Sequence, residues 1–544
     1  MEIKKKSKEI SYEELYKNLQ IKYNNLELEL NNLKKIIFGV KSEKTSKEEN
    51  IVDGIQNSFF DDETWNKELI NQINEKAKDI TVTYTRKAEN KKAGIKADKL
   101  KDIKMNVKEV ELAEDSKCPK CSNDLKQIGK KLVRQEIGYI PAELEITNYV
   151  QCTYKCTCCG TKESENESAT IIKAEAPKPL LTHSFVSPTL ATEVIYKKYF
   201  MGVPLYRQEK IWDDMGLILP RNMMANWIIK ITEYYLVPLY NAMLIKIKSE
   251  SELLHCDETE IQCNKEPGRK ASNKSYMWIL QTGELEKHKG VVFKYTQSRS
   301  AQTAEKFLEG FNGLLITDGY AGYNNIPDVV HSECWAHCRR YFYESIPLDS
   351  NNEMDTSTDG YIGLQYCNRL FEIEREIAKL SVTEKEEIRQ KRSKPVVEEF
   401  FKWIELTSNK LIVNNKLKKA VTYATNQQKE LSEFLNDGRI PLSNNLVERA
   451  IRPFAIHRKN WLFADSVEGA KANAVIYSLI ESAKINNLNI WKYIEYLLKE
   501  IPHMEDPKDE IELEEFFPWS DDLPAEILNS QGADSLDCSN VLAI

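Results

Sequence analysis

The sequence predicts a multidomain α+β protein with a mixed α/β unit at its centre. Three observations carry this. Residues 251–317 read as strands and one helix in the succession β-β-β-α-β, two cysteine pairs mark a small separate unit, and helical periodicity flanks both. At 544 residues the chain has room for roughly three or four domains.

Composition narrows the class. Hydrophobic residues make up 41% of the chain, enough for real cores, and no run approaches the ~18 apolar residues of a membrane span. The start, MEIKKKSKEI, carries charge where a signal peptide would be apolar, so a cytoplasmic protein with no membrane partner is expected and its twelve cysteines are expected as thiols or metal thiolates. A net charge of −8 argues weakly against nucleic acid, but local charge is the better guide.

Tyr16, Leu19, Tyr23, Leu26, Leu30, Leu33 and Ile37 recur at spacings of three and four, which predicts a coiled coil within 10–44 or one amphipathic helix packed on its own protein. Residues 45–110 form a polar linker; Arg86, Lys87, Lys91, Lys92, Lys96, Lys99, Lys101 and Lys104 within it either screen phosphates or simply stay solvated.

The unit 111–178 contains Cys118-Pro-Lys-Cys121 and Cys156-Thr-Cys158-Cys159, two knuckles that turn four thiolates toward one tetrahedral ion. Cys118, Cys121, Cys156 and Cys159 are the expected ligands of one structural zinc with no open position, Cys152 and Cys158 being alternatives for the fourth ligand. Over 183–250 the pattern is helical: Ala191 to Phe200, Pro204 to Met215, a Gly-Leu-Ile-Leu-Pro break, and Asn222 to Ile231. This fits a helix-turn-helix, with Arg221 and Asn222 as DNA contacts, or a plain helical bundle.

Strands follow at Leu253–Cys263, Ser275–Gln281 and Gly290–Gln297, then a helix from Ser300 to Phe311 and the strand Gly313–Thr317, an order belonging to RNase-H-like folds. Asp257 falls inside the first strand and Asp318 just past the fourth, so parallel pairing of those strands brings the carboxylates together. Adjacent carboxylates repel unless a cation intervenes, and magnesium favours oxygen ligands. A third carboxylate is offered by Glu448 in Ser443-Asn-Asn-Leu-Val-Glu-Arg449, where Ser443 or Asn444 can cap a helix; a surface ion pair of Glu448 with Arg452 is the bland alternative. Residues of about 350–435, between Asp318 and Glu448, read as a charged helical insertion.

Beyond these single features, ordered motifs carry a resemblance: Phe38-Gly-Val-Lys-Ser-Glu-Lys44, the cysteine knuckles, Pro204-Leu-Tyr-Arg-Gln208, His255-Cys-Asp-Glu-Thr259, Thr317-Asp-Gly-Tyr320, Cys334-Trp-Ala-His337, Ser443 to Arg449, and Arg458-Lys-Asn-Trp-Leu-Phe463. In this order they resemble the transposases of the bacterial insertion sequence sixty-six family. The resemblance implies a DDE triad of Asp257, Asp318 and Glu448 holding two magnesium or manganese ions, in a catalytic domain over 251–463. It further implies a C-terminal helical domain over 464–520 ahead of a tail at 521–544, and His337 as a neighbour of the active site. A second zinc at His331, Cys334, His337 and Cys338 is disfavoured, because the last three share a helix start.

On this reading the protein cleaves transposon ends and joins the 3′-hydroxyl to target DNA. Arg339, Arg340, Arg449, Arg452, Arg458 and Lys459 then meet phosphates. Its partners are terminal inverted repeats, target DNA, further copies of itself through the coiled coil, and accessory proteins of the same element. An RNase-H-like nuclease that does not join, or a domesticated DNA-binding protein, are the alternatives.

Overall fold

The computed structural model describes residues 142–155, 171–324, 326–348, 354–506 and 509–529. The expected coiled coil, the basic linker, Cys118, Cys121, Cys156, Cys159 and most of the expected tail lie outside the described residues. Within the cysteine-bearing unit, β1 (Thr153–Lys155) pairs antiparallel with β2 (Ile171–Lys173).

Four helices come next: α1 (Pro188–Tyr199), α2 (Leu205–Asp214), α3 (Arg221–Ile231) and α4 (Val237–Glu250). Ser187 starts α1 by accepting from the Leu190 amide, and Gly216, at φ +84°, makes the turn after α2. A π-helical turn, Thr232–Leu236, joins α3 to α4. It stands just before Pro238, whose ring would otherwise meet the carbonyl one turn back, so the widened turn lets the helix run on through a proline.

The central elements follow in the expected succession, β3 (Leu253–Lys265), β4 (Lys274–Thr282), β5 (Val291–Thr296), helix α5 (Ala301–Leu308) and β6 (Leu314–Thr317), and a further strand, β7 (Val330–Glu333), was not expected. Their order in the sheet is β5-β4-β3-β6-β7, antiparallel up to β3 and parallel beyond it. A further short strand, β8 (Ala464–Ser466), pairs parallel with the far end of β3.

Strand alternation sends the sheet into two cores. Leu254, Cys256 and Leu315 join α3, α4 and later helices in one; Leu253, Leu314 and Ile316 join the other. That second core is built by α6 (Trp335–Ser345), α7 (Asp359–Glu376), α9 (Lys394–Ser408), α10 (Asn415–Asn426) and α11 (Gln428–Ser432), while α8 (Val382–Ile388) buries no residue. Buried Arg389 closes this helical segment. Its Nε and Nη2 hold Glu374, and its Nη1 and Nη2 reach the carbonyls of Phe434, Asp437 and Ile440, which fixes the return of the chain toward the sheet.

The chain then enters α12 (Asn445–Trp461), α13 (Val467–Ile485), α14 (Ile490–Glu500) and α15 (Glu510–Leu513). Helix α13 covers the edge strand. Ser478 Oγ and Ser482 Oγ accept from the Phe293 and Val291 amides, both at 2.8 Å, so two edge amides find partners inside the protein. Among the described residues, no helix is long and apolar enough to cross a membrane.

Candidate active site

Parallel pairing of β3 with β6 aligns Leu254 with Leu315 and His255 with Ile316, so two residues further on Asp257 and Asp318 stand level. Carboxylate oxygens of Asp257, Glu258 and Asp318 lie within 4.8 Å of one another. The Glu258 amide donates to Asp257 Oδ1 at 2.8 Å, and the Tyr320 amide to Asp318 Oδ1 at 3.1 Å. Burial, then the charges of Asp318, Glu258 and Glu448, hold the Asp257 carboxyl well above the usual carboxylate range.

Glu258 has a different environment, which sequence reasoning did not anticipate. Its side chain accepts from the Arg299 guanidinium and the Tyr323 hydroxyl. Arg299 also stands 4.0 Å from Asp318 Oδ2, with its guanidinium 4.0 Å from the Tyr320 ring centroid. Burial raises the Glu258 carboxyl, and Tyr323 and Arg299 pull it back. One sequence signal existed for Arg299: a cation immediately before a helix N-terminus opposes the helix dipole, so a tertiary anion is needed there.

Glu448 comes from the first turn of α12, 9% exposed. Asn444 occupies the N-cap position, but its side chain does not cap the helix as expected. Its Nδ2 donates to the Cys256 carbonyl at 2.9 Å, its Oδ1 meets His255 Nδ1 at 2.8 Å, and its amide donates to Cys334 Sγ at 3.1 Å. Tertiary partners thus outbid the local one, and Asn444 ties the start of α12 to β3 beside Asp257. Burial lowers His255 to about 4, so it is neutral with Nδ1–H facing the asparagine oxygen.

His337, from the first turn of α6, places Nε2 3.8 Å from Glu448 Oε1. Burial lowers its pKa despite the opposing charges of Glu448 and Asp318. Glu448 makes this contact instead of the surface pair with Arg452, which is exposed on the next turn.

Asp257 and Asp318 therefore stand together with Glu258, and Glu448 with His337 forms a neighbouring group whose charge acts on Asp257. Their donor chemistry fits a hard divalent cation: Glu448 Oε1 is buried without a hydrogen-bond partner, and Asp257 is crowded by three carboxylates. The other expected residues divide. Arg449, Arg452 and Lys459 are exposed along α12, and Arg458 Nη1 reaches Thr259 Oγ1 at 3.4 Å on β3. Arg339 turns Nε to Asn368 Oδ1 at 2.7 Å, into the helical segment, while Arg340 is half-buried and close enough to act on the His337 charge. Arg221 and Asn222 are exposed at the start of α3, where the Arg221 amide donates to Glu209 and Asn222 Oδ1 accepts from the Met223 amide.

Known proteins add independent findings. The family model described as "Transposase IS66 family" matches residues 183–472, that for the zinc-finger binding domain of transposase IS66 matches 115–160, and that for the IS66 C-terminal element matches 478–519. The uncharacterized protein y4jD of Sinorhizobium fredii is 29% identical over 421 residues, covering 75% of this chain and 78% of that protein. From the same organism, the uncharacterized protein y4qI is 29% identical over 365 residues, 64% of this chain and 65% of its own. A chain of the Drosophila P element transposase strand transfer complex aligns over 62% of this chain and 92% of its own at 10% identity, with a TM-score of 0.22, too low to support inference. The zinc-finger match supports zinc at the cysteine-bearing unit. With one family model covering more than half the chain and two companion models matching on either side of it in order, the protein belongs to the IS66 transposase family.

Proposed function

We propose that the protein is a DNA transposase in which Asp257, Asp318 and Glu448 hold divalent cations for cleavage at transposon ends and strand transfer into target DNA. One observation carries the reading: three carboxylates from β3, the end of β6 and α12 converge, and no Lys or Arg is paired with Asp257 or Glu448 in the ion pairs seen among the described residues. Magnesium or manganese held there would supply Lewis acidity toward a phosphodiester.

The remaining work falls to the protein. Asn444 sets the distance from α12 to β3, and His337 stands 3.8 Å from Glu448. Arg299 keeps Glu258 occupied and steadies Asp318. The exposed cations Arg449, Arg452 and Lys459, with Arg458 beside them, would neutralise phosphates flanking the scissile bond. We further assign 251–463 to an RNase-H-like catalytic domain carrying the helical insertion, and 183–250 to DNA contact through Arg221 and Asn222.

The test is cleavage and joining of a labelled element-end duplex in magnesium, wild type against Asp257→Asn. The wild type is expected to join ends to target DNA. The variant is expected to bind the duplex while losing at least about 1,000-fold in both steps, the scale of removing an essential electrostatic group. Cutting without joining would reduce the reading to a nuclease, and undiminished activity in the variant would end the assignment of Asp257.

A further inference from the structure

Cys334 and His337 are set one helical turn apart at the start of α6, so their side chains share a side, and α12 delivers Glu448 to the same point. The Cys334 sulfur, a His337 ring nitrogen and a Glu448 carboxylate oxygen lie within 4.8 Å of one another. Two buried atoms here have no hydrogen-bond partner among the described residues: Glu448 Oε1, on a side chain 9% exposed, and His337 Nδ1. Such atoms carry a desolvation cost that a ligand would relieve. The Asn444 amide donates to the sulfur at 3.1 Å.

Sulfur, nitrogen and carboxylate oxygen together are a donor set that magnesium declines and zinc accepts. We propose that Cys334, His337 and Glu448 form a second binding site for a borderline-soft divalent cation of the zinc class, separate from the zinc of the cysteine-bearing unit. Three protein ligands leave a fourth position open. The expectation against metal considered Cys338, which instead lies buried beside Cys367; the missing third ligand comes from a helix over a hundred residues later in the chain.

Binding as a thiolate must displace the Cys334 proton. Because Glu448 is shared, zinc here draws it away from Asp257 and Asp318 and inhibits magnesium-supported chemistry. That consequence rests on the proposed function; the binding itself does not.

The experiment uses full-length protein, wild type against Cys334→Ala and Cys334→Ser, each saturated with zinc and cleared of loose ion. Metal content is measured by elemental analysis, and cobalt substitution is followed by thiolate-to-metal absorption. The wild type is expected to hold one more ion per chain than either variant, with unchanged circular dichroism excluding unfolding. Equal metal content and equal cobalt spectra overturn the site. In a second arm, micromolar zinc is expected to suppress magnesium-supported end cleavage at least tenfold more in wild type than in Cys334→Ala; equal suppression overturns the coupling through Glu448. A wild type inert in magnesium alone counts against the proposed function, while metal content still decides the site.

Discussion

The two faces of the central sheet are packed by different parts of the chain. On one, helices from before and after the sheet, α3, α4, α12 and α13, supply the core, with Phe454 and Tyr477 against Phe293, and serines of α13 bind the edge strand directly. On the other, the helical segment between β7 and α12 supplies an aromatic cluster: Phe400 touches Trp335, Phe342, Tyr366, Phe401 and Trp403. The carboxylates lie where the two meet. Glu448 rides on a helix of the first core, whereas His337 and Cys334 lead into the second. A face that is continuous with the rest of the chain can hold a carboxylate steady, and a face built from one inserted segment can be altered without dismantling the sheet.

The largest expected effect tests that separation. Phe400 is fully buried at the centre of the aromatic cluster, so Phe400→Ala removes a ring that its rigid neighbours cannot replace and should destabilise the helical segment by about 3–5 kcal/mol. Hydrogen exchange should show protection falling over 359–432 while β4 and β5 keep theirs. Equal loss in β4 and β5 would mean that the two cores unfold as one unit and that the contrast between faces is one of connectivity alone.

A smaller effect tests contact between the second face and the site. Gly319 follows Asp318, and a β-carbon added there would overlap the Tyr423 ring of α10. Gly319→Ala should therefore shift Asp318 and reduce end cleavage by about 100-fold, the cost of misplacing a reacting group by about 1 Å. The double variant Gly319→Ala/Tyr423→Ala should recover most of that loss. Failure of the second substitution to rescue would place the damage in the backbone and sever the link between the helical segment and Asp318.

How far the sequence reached follows from what each feature depends on. Strand succession, the position of Asp318 just past β6 and the helical segment before Glu448 were legible, because periodicity and turn chemistry are local signals. The roles of Asn444, Arg299 and Glu258 were not. Ser443 or Asn444 is the helix cap that a local argument finds, yet the partners of the Asn444 side chain are Cys256, 188 residues away, and His255, 189 away. Asp257 and Glu258 are neighbours in one strand, yet one is left among carboxylates and the other is neutralised by Arg299 and Tyr323. No spacing rule separates them, since the difference lies in which side of β3 receives a cation from the loop after β5.

A third effect concerns Glu333, at the end of β7 where the faces meet. It is 1% exposed; Oε2 accepts from Tyr423 at 2.9 Å, and Oε1 has no hydrogen-bond partner among the described residues. Burial, opposed by the Tyr423 hydrogen bond and reinforced by Asp318, pushes its carboxyl up to about 8 from an ordinary 4.5. Between those values the folded protein holds a proton that the unfolded chain has released, so this group's contribution to stability declines as pH rises from about 4.5 and levels off above about 8. Glu333→Gln keeps an oxygen for Tyr423 and removes the titration. Denaturant unfolding of the two proteins at pH 5 and at pH 8 should show the variant gaining on wild type by about 1 kcal/mol per pH unit across that interval. Asp257 and the other buried groups titrate in both proteins and largely cancel in the difference, which isolates Glu333. Parallel stability curves would mean that Glu333 is ionised in the folded state at pH 5, with a cation or water reaching it from the carboxylate cluster, and the boundary between the two faces would then be wet.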